Sequence, residues 1–139
     1  MHEYEPSPFT SIRDQVALYE ATDGREGGTL NGRPVVILTT RGARTGRIRK
    51  TPLLKIRHQD AYLVVASYGG ADVHPAWYHN LVADPSARIQ DGAAVLRLRA
   101  REITGAEKAR LWEVADAAWP DFPAYRAATR REIPVLLLR

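Results

Sequence analysis

The chain has 139 residues, of which 45% are hydrophobic and 26% charged, and its formal net charge is +4. This length suits a single domain with its own core, and the composition is too apolar for a disordered chain. The absence of cysteine excludes disulfides, thiolate nucleophiles and Cys-ligated metal centres. No apolar stretch reaches the ~20 residues of a membrane helix, and the N-terminus lacks the features of a secretory signal, so we expect a cytoplasmic protein.

Positive charge is concentrated in residues 27–59. Eight of the 20 Lys+Arg lie in this stretch, which contains none of the 16 Asp+Glu. These cations are Arg33, Arg41, Arg44, Arg47, Arg49, Lys50, Lys55 and Arg57. A surface of one sign attracts anions and speeds their arrival. We therefore expect an anionic partner for this part of the chain.

The first half predicts a helix followed by three strands. Apolar residues spaced by three or four predict a helix from about Pro8 to Asp23, which Gly24 ends. The β-branched run 35–40 predicts a buried strand, and a glycine-containing turn joins it to a second strand, 48–57, with Pro52 at an edge or bulge. A third strand, 61–67, ends at Gly69-Gly70, so we expect an antiparallel meander.

The second half predicts helices around a further hairpin. A short helix over 74–83 precedes strands at 88–90 and 93–102, joined by the Asp91-Gly92 turn. Residues 104–107 match a capping box and open a helix that ends before Pro120. A short helix over 122–129 and a last strand over 133–138 complete the chain. About six strands with peripheral helices favour a single α+β domain whose antiparallel sheet closes into a small barrel.

Several familiar active sites are excluded by spacing. The turn 42–46 lacks the Gly-Lys-Ser/Thr ending of a phosphate-binding P-loop. His74 and His79 are five residues apart, on different sides of a helix, and no third ligand adjoins them, which disfavours a metal site. Ser67 lies outside any G-x-S-x-G motif. We therefore expect neither metal chemistry nor nucleophilic catalysis.

The remaining pattern suits the binding of a large anionic ligand. Arginines of the basic stretch can contact phosphate or carboxylate, and Ser67 with Gly69 and Gly70 offers a hydroxyl and backbone amides. Trp77, Tyr78 and Tyr125 offer flat aromatic faces. A merely solvated basic face is the alternative interpretation. Nucleic acid is not expected, because the aromatic residues lie mostly outside the basic stretch.

Four motifs in order identify a family resemblance. They are LTTRGARTGRIRKTPLL at 38–54, VASYGGA at 65–71, HPAWYHNL at 74–81 and REIPV at 131–135. Together they resemble the deazaflavin-dependent nitroreductases, actinobacterial proteins with a split β-barrel related to the flavin-binding pyridoxamine-phosphate oxidases. The likeness runs from about Gly32 to the C-terminus. It implies a cofactor-binding barrel over 33–139, preceded by the N-terminal helix within residues 1–23, whose order without ligand is left open.

The resemblance also implies a cofactor and the residues that hold it. The cofactor would be coenzyme F420, an 8-hydroxy-5-deazaflavin with a phosphodiester and a polyglutamate tail. Residues near the phosphate and tail would be Arg44, Thr45, Arg49 and Lys50, and those beside the ring Thr51, Pro52, Leu53 and Leu54. Hydroxyl and amide donors to the phosphate end would come from Ser67, Gly69, Gly70 and Ala71, while Trp77, Tyr78 and Asn80 would shape the ring pocket. Some relatives have lysine where this chain has Tyr68, so one phosphate-binding cation would either be lost or be supplied by the hairpin instead.

The implied reaction is hydride transfer from the reduced deazaflavin to a small hydrophobic acceptor of quinone, enone or nitroaromatic type. Because the cofactor performs the difficult chemistry, the lack of a catalytic triad is expected. Tyr125, and second Tyr78, are the candidates to protonate or bind the acceptor. Two alternatives stay open: an FMN-dependent enzyme on the same barrel, and a non-catalytic binder of deazaflavin or another anion. A homodimer and a peripheral position at the membrane are also left open.

Overall fold

The computed structural model describes residues 3–139, so Met1 and His2, at the start of the expected N-terminal segment, lie outside it. The helices are α1 (Thr10–Thr22), α2 (Ala76–Ala83), α3 (Gly105–Ala118) and α4 (Phe122–Ala128). The strands are β1 (Thr29–Leu30), β2 (Arg33–Arg41), β3 (Ile48–Leu54), β4 (Arg57–His58), β5 (Ala61–Val65), β6 (Ser86–Asp91), β7 (Ala94–Ile103) and β8 (Val135–Leu138). A short 3₁₀ turn, Tyr68–Gly70, follows β5. The expected order of helices and strands is confirmed.

The strand pairings form a closed cycle. β2 pairs with β3 on one side and β6 on the other, and the sheet continues through β7 and β8 to β5 and β4, all antiparallel. β3 runs on into β4, which pairs with β5 and so closes the ring. Counting β3 and β4 as one interrupted strand, six strands form the barrel, as the sequence predicts. The two-residue β1 adds only a short extension beside β2.

Alternating side chains give the barrel an interior and an exterior that are packed separately. The interior cluster includes Val36, Leu38, Val64 and Ile89, and Trp77 of α2 packs into it. On the outside, α1 covers β2 through Val16 and Tyr19. The exterior of β5 and β8 is covered by α3 and α4. Between these two helical layers, the outer faces of β6 and β7 are left exposed.

The expected capping box at the start of α3 is wrong. Thr104 occupies the N-cap position, but its side chain makes no capping hydrogen bond. Glu107, the other half of the expected motif, instead accepts two hydrogen bonds from Arg101, at 2.9 and 3.0 Å. Because this bidentate ion pair engages both carboxylate oxygens, Glu107 is not turned back toward the helix start.

Candidate functional site

A cleft of about 390 Å³ opens where the barrel is split between β3 and β5. The two segments are joined at Ile56, whose carbonyl accepts a 2.8 Å hydrogen bond from the Leu63 N–H. Beyond this bond they diverge, and the cleft lies between Thr51–Leu54 on one side and Val65–Gly69 on the other. Its volume is in the range of ~300–1,000 Å³ typical of small-molecule sites.

Apolar and aromatic side chains form most of the walls of the cleft. Trp77, which is only 7% exposed, forms part of the wall, and Pro52, Leu53 and Leu54 of β3 form one side. The other apolar and aromatic lining residues are Ile12, Leu30, Ile56, Val65, Tyr68, Pro75, Trp119, Phe122 and Tyr125. Flat apolar walls of this kind suit a planar aromatic ring.

The edge of β3 adds backbone hydrogen-bonding groups to the cleft. The Lys55 N–H donates to the Pro34 carbonyl of β2 at 2.9 Å, so by alternation the N–H and C=O of Leu54 point away from β2, toward the split. Pro52 lies in the same phase of the strand and offers a carbonyl but no N–H. The cleft wall therefore presents a donor at Leu54 and acceptors at Leu54 and Pro52, which can recognise the polar edge of a heterocycle.

The turn after β5 presents further donors at the mouth of the cleft. Ser67 has right-handed helical dihedrals, and Tyr68, Gly69 and Gly70 follow with φ values of 47°, 62° and 83°. A right-handed residue followed by a left-handed one directs successive N–H groups into one concavity, a geometry that binds anions. Within residues 3–139, the N–H groups of Ser67, Tyr68 and Gly69 have no acceptor. The strained φ of Tyr68, a non-glycine residue, is typical of a functional turn.

Gly70 is required by packing as well as by dihedral angle. A Cβ atom at this position would lie 3.1 Å from both the Cα and the carbonyl oxygen of Tyr125. The turn is therefore packed directly against the backbone of α4. Ala71 closes the turn by donating its N–H to the Tyr68 carbonyl at 3.1 Å, and it does not line the cleft.

Arg131 holds this turn from behind, a contact that the sequence analysis missed. Its guanidinium donates to the carbonyls of Ala66, Ser67 and Ala71 at 3.1, 2.8 and 2.7 Å. It also lies 2.9 Å from Nδ1 of His74. The only sequence signal was the position of Arg131 two residues before the buried Ile133, inside the REIPV motif.

Most cations of the β2–β3 hairpin have acidic partners brought from elsewhere in the chain. Nη1 of Arg49 lies 2.8 Å from the Glu5 carboxylate, and Nζ of Lys50 lies 2.5 Å from that of Glu20. Arg44 and Thr45 occupy the exposed tip, where Arg44 makes no ion pair within the described part of the chain. Acidic side chains from outside residues 27–59 thus neutralise much of the positive charge of this stretch. The assignment of these four residues to a phosphate and acidic tail stays a prediction.

Two of the expected pocket residues point elsewhere. The Tyr78 hydroxyl donates to Glu102 of β7 at 2.6 Å, and this hydrogen bond, followed by burial, raises the pKa of Tyr78 to about 12. Asn80 accepts from the Ala43 N–H at 2.9 Å and donates to Thr40 at 3.1 Å. Neither residue lines the cleft. Asn80 instead positions the hairpin against α2.

Tyr125, the first candidate for a proton donor, does line the cleft. Its hydroxyl oxygen lies 3.3 Å from the indole nitrogen of Trp119, which donates to it. Because the oxygen accepts that bond, its own proton is available for a group in the cleft. The sequence analysis did not identify Trp119, six residues away on the far side of Pro120.

A second, larger groove of about 940 Å³ runs over the outer faces of β2, β6 and β7. Arg88 and Arg97 are direct cross-strand partners on its floor, and Arg99 follows on the same face of β7. All three are exposed, and none forms an ion pair within residues 3–139. The groove shares no residue with the cleft.

Two other kinds of feature are absent from the described residues. In residues 3–139, no three His, Asp or Glu side chains are grouped as metal ligands. None of the helices in this range has the length and apolar character needed to cross a bilayer.

Comparisons with known proteins identify relatives of this chain. The chain is 38% identical over 131 residues to an F420H(2)-dependent quinone reductase of Mycobacterium tuberculosis H37Rv, covering 91% of this chain and 88% of that protein. Among solved structures, an F420-H2 dependent reductase, FDR-A, matches with a TM-score of 0.72 and 41% identity, over 77% of this chain and 95% of the other. A structure described as a domain-swapped dimer matches with a TM-score of 0.74 and 37% identity, over 96% and 100% of the two chains.

A more distant likeness concerns the fold alone. A pyridoxamine 5'-phosphate oxidase-type protein of Listeria innocua is 10% identical, with a TM-score of 0.52 over 91% of this chain and 90% of the other. The expected split barrel is thereby confirmed. Residues 11–139 match the sequence profile of the F420H(2)-dependent quinone reductases. The chain therefore belongs to the F420H(2)-dependent quinone reductase family and is an oxidoreductase that uses coenzyme F420.

Proposed function

We propose that the cleft between β3 and β5 holds the deazaflavin ring of F420H2 and that a quinone accepts the hydride beside it. The observation that carries this proposal is the meeting of two backbone donor sets at one apolar cleft. The edge of β3 at Pro52 and Leu54 suits the polar edge of the ring, and the N–H groups of the turn at Ser67 suit the phosphodiester.

The residues present fit the cofactor in chemistry as well as in position. Leu53, Leu54 and Trp77 can pack against a flat ring, and the hydroxyl of Ser67 adds a donor to the amides of the turn. Arg44, at the exposed tip of the hairpin, can reach the acidic tail without first breaking an ion pair within the described residues. Arg49 and Lys50 would share their charge with Glu5 and Glu20.

When bound, the reduced deazaflavin supplies a hydride, and the protein contributes orientation and a proton. A quinone needs one hydride and one proton to become a hydroquinone. Tyr125 is the residue that we propose delivers this proton, because it lines the cleft and its hydroxyl oxygen receives a hydrogen bond from Trp119, which leaves the hydroxyl proton free to be donated. Phe122, Ile12 and Leu30 complete an apolar wall that would exclude water from the acceptor.

Two measurements test the function itself. Purified protein is titrated with F420 and separately with FMN, and oxidation of F420H2 is followed with menadione as the quinone. We expect saturable F420 binding, weak or no FMN binding, and quinone-dependent turnover. Binding of FMN alone would exclude the deazaflavin, whereas tight F420 binding without turnover on any quinone would leave a non-catalytic binder.

The role of Tyr125 is tested by Tyr125→Phe, with Tyr78→Phe as the matched control. A proton donor contributes ~10²–10⁴-fold to a rate, so kcat with menadione should fall about 100-fold in Tyr125→Phe while the Kd for F420 changes little. Tyr78→Phe removes the same hydroxyl from a site on Glu102 outside the cleft, and its kcat should stay within about twofold of wild type. Equal kcat values in the two variants would mean that solvent supplies the proton.

A further inference from the structure

Arg131 makes an unusual set of contacts between α4 and β8. One guanidinium donates to three carbonyls of the segment 66–71, at 2.7 to 3.1 Å, and a fourth contact joins it to Nδ1 of His74 at 2.9 Å. All four contacts cross more than 50 residues of sequence. The side chain therefore holds the turn after β5 in place from the far end of the chain.

These contacts explain how a strained turn keeps its shape. Three successive residues, Tyr68 to Gly70, have left-handed dihedrals, and the non-glycine Tyr68 pays a strain of ~1–3 kcal/mol that its surroundings must offset. By binding the carbonyls of Ser67 and Ala71, which flank those three residues, Arg131 fixes both ends of the turn. The planar fork of an arginine can serve several carbonyls at once, which the single ammonium of a lysine cannot match.

The charge of Arg131 is not neutralised by an ion pair within the described residues. Within residues 3–139 it forms no ion pair of 4.0 Å or less, and burial lowers the pKa of Arg131 below its ordinary value, with Asp72 acting in the opposite direction. A cation placed directly behind a turn whose N–H groups converge in front increases the attraction of that turn for an anion.

We infer that Arg131 is the positioning residue of the phosphate-binding turn: it orients the N–H groups of Ser67, Tyr68 and Gly69 toward the phosphodiester and so selects the phosphate-bearing cofactor over its phosphate-free core. This inference rests on the proposed binding of F420 in the adjoining cleft. It assigns to Arg131 a specificity that a purely structural role would not produce.

The experiment compares two ligands that share the deazaflavin ring. One is F420, and the other is the 8-hydroxy-5-deazaflavin riboside, which lacks the phosphodiester and tail. The Kd of each is measured for wild type, Arg131→Met and Arg131→Lys. The control is Arg130→Met, which removes the charge of an exposed neighbour that makes no hydrogen bond within the described residues.

We expect the Arg131 substitutions to weaken the binding of F420 more than the binding of the riboside. Arg131→Met removes charge-assisted hydrogen bonds that hold the turn, and only F420 carries the phosphate that the turn would bind. The Kd for F420 should therefore rise about tenfold or more, and the Kd for the riboside less than threefold. Arg131→Lys keeps the charge but loses the fork, so it should give an intermediate loss of the same selectivity. Arg130→Met should affect both ligands within about twofold.

Each contrary result has a distinct meaning. If Arg131→Met and Arg131→Lys weaken both ligands equally, Arg131 supports the cleft generally and the inference fails; it fails too if Arg131→Lys binds both ligands like wild type. Should Arg131→Met not fold, Arg131→Lys alone decides between these outcomes. If wild type binds neither ligand, the proposed function itself is wrong. If wild type binds the two equally, the cofactor assignment stands but the turn does not recognise phosphate.

Discussion

Two cavities of the protein can attract an anion, and they do so with different groups. One is the cleft between β3 and β5, and the other is the groove over β6 and β7. The groove is more than twice as large, about 940 against 390 Å³, and carries its charge on exposed arginines such as Arg88 and Arg97. The cleft is mostly apolar, and its donors are backbone N–H groups fixed by the turn at Ser67 and by the edge of β3.

The difference lies in preorganisation. Long arginine side chains in water lose rotamer entropy on binding and are screened by salt, so the groove offers attraction with little geometric selection. Amides in a turn that is already packed against Tyr125 and held by Arg131 lose little further freedom. We therefore propose that the smaller cavity recognises the cofactor, and the following substitutions test that proposal.

The largest effect is expected from Gly70→Ala. The new Cβ would meet the backbone of Tyr125 at 3.1 Å and force a non-glycine residue to φ +83°, so the turn and α4 must separate. We expect the Kd for F420 to rise about 30-fold or more and the free energy of unfolding to fall by roughly 1–3 kcal/mol. Fluorescence titration and thermal unfolding measure the two quantities.

Gly92→Ala is the matched control for this change. Gly92 has a similar left-handed φ of +62°, but its nearest neighbour would be the Asp23 carbonyl at 3.7 Å, in the hairpin turn between β6 and β7. It should lose about 1 kcal/mol of stability without a change in Kd. Comparable losses of affinity in both variants would show that the cleft responds to global stability rather than to the geometry of its turn.

Local patterns predicted the elements that build the cleft but not the contacts that complete it. The β-branched run 35–40 and the pair Gly69-Gly70 have short-range signatures, and so the strands and the turn could be located. The Thr51–Leu54 wall was named only through the family resemblance. The ion pairs of Arg49 with Glu5 and of Lys50 with Glu20 join residues 44 and 30 positions apart, which no local pattern encodes. For this reason the sequence did not show that acidic side chains from other parts of the chain neutralise much of the basic stretch.

Aromatic residues show the same limit. Tyr78 and Tyr125 are the same residue type, yet the Tyr78 hydroxyl is bound to Glu102 of a distant strand, whereas Tyr125 lines the cleft. Tyr19, on the N-terminal helix, is 2% exposed and accepts a hydrogen bond from the Gly92 N–H at 2.8 Å, so it is a core residue. Only the tertiary fold distinguishes these environments.

An intermediate effect is expected from reversing charge at the hairpin. Arg44→Glu places a carboxylate near the proposed position of the acidic tail, so the Kd for F420 should rise about tenfold at low salt and less at high salt. Arg97→Glu makes the same change in the exposed groove and should alter the Kd by less than about twofold. Titrations of both variants at two salt concentrations give the comparison. If the two substitutions weaken binding equally, the net charge of the protein attracts the cofactor and the two cavities are not distinct in this respect.

The smallest effect is expected from pH, through His74. Burial, and then the positive charges of Arg131 and His79, lower the pKa of His74 from its ordinary value of 6.5, while Glu102 acts in the opposite direction. Since the folded state disfavours the protonated ring, its contribution to stability is fully present above pH 6.5 and is lost as the pH falls below that value. Protonation would also remove the Nδ1 acceptor of Arg131 and place two cations side by side.

We therefore expect the affinity for F420 to fall a few-fold between pH 7.5 and 5.5 in wild type. In His74→Asn the side-chain amide oxygen can still accept from Arg131 but cannot titrate, so this variant should lose less affinity over the same range. Because the cofactor titrates identically in both titration series, the difference between the two pH profiles isolates His74. Superimposable profiles would show that the hydrogen bond between His74 and Arg131 does not control the turn, and that the three carbonyls of Ala66, Ser67 and Ala71 are sufficient to hold it.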